Sequence, residues 1–154
     1  MTVGSTTLTA GSAYNIFMIK LDASGSPVWA KSFGNSSVND GGQGIRVDAS
    51  GNSYTTGFFR GTMTVGSTTL TPVSIVDIFM IKLDASGSPV WATGFGSTAS
   101  SLNQGFSIGV DASGSSYTTG YFSGTMTVGS TTLTSVGSQD IFMIKLDALG
   151  SPAT

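Results

Sequence analysis

The six residues Ile16–Leu21 read IFMIKL, with apolar side chains at every position except Lys20. The same six letters return at Ile78–Leu83 and at Ile141–Leu146. Successive side chains of a strand point to opposite faces. A strand over Ile78–Leu83 therefore puts Phe79, Ile81 and Leu83 on one face and Ile78 and Met80 on the other. Both faces are apolar. Around it the pattern predicts three more strands of the same kind: Gly42–Val47 (strand a), Ser53–Phe59 (b) and Val90–Phe95 (d), with Ile78–Leu83 as strand c. Strand b likewise places Tyr54, Thr56 and Phe58 opposite Phe59. Between b and c, Thr62–Val65 and Thr68–Thr71 alternate apolar and polar around Gly66-Ser67, a two-residue hairpin signal. No stretch holds a helical apolar period for longer than a turn or two.

The connections share one design. Asp48-Ala49-Ser50-Gly51 joins a to b, and Asp84-Ala85-Ser86-Gly87 joins c to d. An Asp carboxylate accepts backbone N–H groups two residues on, and Gly closes such a turn with positive φ. Pro89 follows at the start of strand d, where a missing N–H is tolerated. The pattern recurs along the chain. MTVGSTTLT begins at Met1, Met63 and Met126, a spacing of 62 and then 63 residues. VDASG begins at Val47 and Val110. The expected unit is a four-stranded antiparallel meander of about 62 residues with a small extra hairpin.

A sheet with two apolar faces must be covered on both. Stacking identical sheets does this, and a ring of stacked four-stranded sheets is a β-propeller. The segments DIFMIKLDASGSPVWATGFG (Asp77–Gly96) and GxxIxVDASGNSYTTGFF (Gly42–Phe59) resemble the seven-bladed β-propeller repeat of bacterial surface and secreted proteins. The resemblance spans nearly the whole chain. It implies a propeller with an extracellular or cell-surface role as a scaffold or binder, and it brings no catalytic residues with it. The expected fold is all-β, with propeller-type blades in an incomplete ring: a partial blade at 1–34, a complete one at 42–96, and a partial one at 105–154.

Composition narrows the chemistry. The chain has no His, no Cys and no Glu, and its eight acids are all Asp. Common zinc sites and Ser-His or Cys-His nucleophile pairs are therefore out of reach. The net charge is −2 with six scattered cations, so there is no basic footprint for nucleic acid. No apolar run approaches the ~20 residues of a membrane-spanning helix. The turn aspartates Asp22, Asp48, Asp84, Asp111 and Asp147 suggest calcium, but each stands alone, which favours a structural turn and no metal or cofactor. Trp29 and Trp91 read as packing between blades rather than as a sugar platform. Asn35-Ser36-Ser37 matches a glycosylation sequon.

The a–b and c–d turns lie at one end of such a sheet, and the b–c and d–a connections at the other. The internal copies differ mainly in the second set. Near-identical strands with variable loops suggest a non-enzymatic scaffold binding protein or carbohydrate through those loops; relaxed constraint at exposed positions explains the same variation. The candidate residues are Tyr14, Asn15, Asn39, Asp40, Val73, Ile75, Asp77, Asn103, Gln104, Gln139 and Asp140. Closed propellers need about four to eight blades. The expected partners are thus further blades in the same chain, or identical chains that join through open strand edges by β-augmentation into a self-assembling structural subunit. The first fits better, because both ends carry a hairpin and a strand c.

Overall fold

A computed structural model describes residues 1–98 and 102–153, with only the backbone of Thr98. Residues 99–101 of the expected d–a loop, and Thr154, lie outside the described residues. Among the described residues the fold is all-β, its sheets are antiparallel, and none closes on itself.

The chain opens with a short hairpin, β1 (Thr2–Val3) and β2 (Thr6–Thr7), followed by a two-stranded sheet of β3 (Ile16–Leu21) and β4 (Pro27–Phe33). The middle unit contains β5 (Gly41–Val47), β6 (Ser53–Phe59), the hairpin β7 (Met63–Val65) and β8 (Thr68–Leu70), β9 (Asp77–Leu83) and β10 (Pro89–Phe95). Its four long strands form one sheet in the order β10-β9-β6-β5, which is d-c-b-a. The last unit has β11 (Ser97–Thr98), β12 (Gln104–Val110), β13 (Ser116–Phe122), the hairpin β14 (Thr125–Val128) and β15 (Thr131–Thr134), and β16 (Asp140–Leu146). Its sheet runs β12-β13-β16.

Strand positions follow the alternation closely, and Pro89 opens β10 as expected. Two details were not legible. Register shifts between Gly42 and Gly44 and between Gly105 and Ser107 bulge the a strands, with Gln43 and Phe106 as the extra residues. Ser97–Thr98, expected as loop, pairs with β14 and ties the third hairpin to the end of β10.

The two faces of β9 go to two different cores. Phe79, Ile81 and Leu83 pack with Ile16, Met18 and Phe33 of the first sheet and with the β7–β8 hairpin. Ile78 and Met80 pack with Phe142, Ile144 and Leu146 of the last sheet. These five apolar side chains of β9 are fully buried. Burying them contributes on the order of 10 kcal/mol, at roughly 2 kcal/mol each. The three sheets are thus stacked face to face, and the middle one supplies a lining to each core.

Candidate functional site

The five Asp-Gly turns share one geometry. In the turn between β9 and β10, Asp84 Oδ1 accepts the Ser86 N–H at 2.9 Å, the Ser86 hydroxyl at 2.6 Å and the Ser88 N–H at 2.9 Å. Gly87 closes the turn at φ +81°. Donation by Ser24, Ser86 and Ser113, supported by backbone N–H groups, holds Asp22, Asp84 and Asp111 below the ordinary carboxylate range. At Asp48, burial acts to raise the value, but the Asn52 amide, backbone N–H groups and the Tyr54 hydroxyl outweigh it. These carboxylates are occupied by their own turns. Among the described residues, no group of three or more acids gathers to hold a cation.

Two of these turns, those of Asp84 and Asp147, receive the Lys and Trp side chains of the neighbouring sheet. Lys20 Nζ donates to the Ala85 carbonyl at 2.9 Å, and Trp29 Nε1 donates to the same oxygen at 3.2 Å. One unit later, Lys82 Nζ and Trp91 Nε1 donate to the Ala148 carbonyl at 3.5 and 3.2 Å. The indoles lie flat against the turn glycines: a Cβ on Gly87 would stand 2.8 Å from Trp29, and one on Gly150 2.7 Å from Trp91. Lys82 also sits 4.9 Å over the Tyr54 ring, which meets Trp91 edge-on. Both tryptophans therefore join successive sheets and present no free platform.

At the opposite end, the candidate loop residues come together in clusters joined across neighbouring units. Asn39 Oδ1 accepts the Tyr14 N–H at 3.0 Å, and the Asp40 N–H donates to the Tyr14 carbonyl at 2.9 Å. Asp40 is buried; its two oxygens accept the N–H groups of Asn35 at 2.6 Å and Arg60 at 2.8 Å. Asn15, with its amide turned to satisfy both ends, donates to the Asn35 carbonyl at 3.0 Å. In the next unit Asn103 takes the place of Asp40. Its N–H donates to the Val76 carbonyl, its Oδ1 accepts the Ser97 hydroxyl at 3.0 Å and the Ser123 N–H at 3.3 Å, and its amide donates to Val76 O and Ser74 Oγ. Gln104 is half-buried beside it.

The repeat pattern puts Asp40, Asp77 and Asn103 on the variable loop face. All three are buried, because they satisfy the backbone of loops that have no sheet partner. Asp77 accepts the Val73 N–H at 2.6 Å and the Ser74 hydroxyl. Asp140 does the same for Val136 N–H at 2.8 Å and Gly137 N–H at 3.4 Å. These carboxylates clip the bases of loops whose tips are open to water. Tyr14 is 78% exposed, Val73 69% and Val136 97%; Ile75, Asn39 and Gln139 are exposed too. Val136, not among the candidate residues, stands at the repeat position of Val73.

A cleft of about 480 Å³ lies along β3, between Ile16–Ile19 on one side and Asp40 with the Gly41–Ile45 part of β5 on the other, with Thr55 in its wall. It occupies the place that strand b takes beside β9 in the middle sheet. No family model matches this chain, and no curated protein is significantly similar to it.

Proposed function

We propose that the three stacked sheets are blades of a β-propeller-type array, and that the array is a non-enzymatic surface or secreted scaffold binding a protein or carbohydrate ligand through its b–c and d–a loops. The blade reading is supported by the d-c-b-a order of the middle sheet, the doubly apolar c strand and the joint repeated at Ala85 and Ala148. The extracellular placement rests on the resemblance of the repeat to those of bacterial surface proteins.

The observation that carries the binding role is the carboxylate clip. Asp77 and Asp140 each fix the base of a loop that holds a large apolar side chain, Val73 or Val136, out in water. Exposed valines on loops fixed at their bases are pre-organised for contact, and a fixed loop loses little entropy on binding. The test is to probe the purified chain against a glycan array and against immobilised cell-surface proteins. The triple variant Tyr14→Ser, Val73→Ser, Val136→Ser is then compared on any positive. At least a tenfold loss of binding with unchanged unfolding supports the role. Unchanged binding removes it.

A further inference from the structure

The same residues are buried in the middle of the molecule and exposed at its two outer faces. Ile78 and Met80 on β9 are fully buried against the last sheet. Their equivalents on β16, Ile141 and Met143, are 84% and 74% exposed. On the other side, Phe79 is fully buried against the first sheet, while its equivalent Phe17 is 60% exposed. Monomeric proteins rarely leave contiguous apolar faces of this kind uncovered.

We propose that these two faces cover each other in trans: the Ile141/Met143 face of one copy docks head to tail on the Phe17/Leu21 face of a second copy. The occupant follows from the molecule itself. Each internal joint sets an Ile/Met face against a Phe/Ile/Leu face, and the two outer faces carry the matching halves of that pair. The polar part of the joint is also prepared. Lys145 stands over Tyr117 at 5.3 Å, as Lys82 stands over Tyr54, and is exposed. Its acceptor in a second copy is the Ala23 carbonyl, at the position of Ala85 and Ala148. Beside it, Gly25 has the same turn geometry as Gly87 (φ +83° against +81°), yet nothing stands within 4 Å of where its Cβ would be. The contact is heterologous, so it propagates from copy to copy instead of stopping at a symmetric pair. It uses sheet faces and leaves every strand pairing intact.

Sedimentation velocity across a wide concentration range tests this on the chain as it is. The wild type is expected to grow from one chain to two and more as concentration rises. Phe17→Asp and Met143→Asp each place a carboxylate on one face, and each alone is expected to weaken association at least about a hundredfold. Both positions are exposed, and the fluorescence of Trp29 and Trp91 reports that each variant is folded. An equimolar mixture is the decisive arm. Each variant keeps the face the other lacks, so the mixture is expected to form a species of two chains and no larger one. A wild type that stays a single chain at every concentration overturns the proposal. So does self-association of either folded variant at the wild-type level, or a mixture of folded variants that gains no two-chain species.

Discussion

Gly25 and Gly87 close turns of identical sequence, Asp-Ala-Ser-Gly, at nearly identical φ of +83° and +81°. They differ only in what stands beside them. Gly25 faces open space, whereas a Cβ on Gly87 would lie 2.8 Å from the Trp29 ring. Replacing either by Ala forces an L residue into the left-handed region, at about 1–2 kcal/mol. Gly87→Ala must in addition displace an indole held by its hydrogen bond to Ala85, and overpacking of that kind costs about 1–3 kcal/mol more. With a urea slope of about 2 kcal/mol/M, the midpoint is expected to fall by roughly 0.5–1 M for Gly25→Ala and by roughly 1–2.5 M for Gly87→Ala. Urea unfolding followed by tryptophan fluorescence measures both, and Trp29 itself should redden in the folded Gly87→Ala protein. Equal losses from the two substitutions would show that Trp29 does not bear on the Gly87 turn, and the reasoning about the joint between sheets would fail.

Three further outcomes are expected. Thr118 is fully buried with a hydroxyl that has no partner, while Thr56 donates to the Phe79 carbonyl at 2.9 Å. Thr118→Val is therefore expected to raise stability by about 1 kcal/mol and Thr56→Val to lower it by about the same, in calorimetry or urea titration; destabilisation by both would contradict the difference in satisfaction. Asp77→Ala leaves the Val73 N–H without its acceptor and the Ser74 hydroxyl with only the Val76 carbonyl, so limited proteolysis should cut within residues 72–76 while the strand content by circular dichroism holds; unaltered resistance would mean the clip does not hold the loop. The turn carboxylates Asp22, Asp48, Asp84 and Asp111 have folded pKa values below the unfolded value of about 3.9. Their contribution is complete above that unfolded value and is lost as pH falls through the lower folded values. With no His in the chain, the urea midpoint should be flat near neutrality and drop only below about pH 4; a decline beginning near pH 6 would point to other groups.

Much of this architecture can be read along the chain, because the signals are local. IFMIKL with two apolar faces, Gly66-Ser67 between alternating segments, and Asp-Ala-Ser-Gly between strands each specify their own geometry. The bulges at Gln43 and Phe106 carry no local signal in the chain; they lie where the backbone of β5 at Gly44 comes close to that of β12 at Phe106. The loop residues divide for a similar reason. Asp40, Asp77 and Asn103 look like surface polar residues in a variable loop, but a loop without a sheet partner needs buried acceptors for its N–H groups. The repeat frame does carry a hint of this, because Asp40 and Asn103 fall at one position and Asn15, Asp77 and Asp140 at another. Repetition also conceals. Met80 and Met143 are the same letter in the same motif, and only the stack reveals that one is fully buried and the other mostly in water.

Ile16–Trp29 and Ile78–Trp91 are the same fourteen residues, so from Phe17 and Phe79 onward their unprotected amides exchange at the same intrinsic rates. Any difference in the folded protein is due to structure alone. Strand β9 is paired on both sides, by β6 and β10, whereas among the described residues β3 is paired only by β4. Hydrogen exchange, with the two segments told apart by their flanking residues Tyr14-Asn15 and Val76-Asp77, should find every amide of residues 78–83 slow. Alternate amides of residues 16–21, those on the open edge, should be fast. Equal protection of the two copies would contradict the central claim that one motif occupies an inner and an outer layer of the same stack.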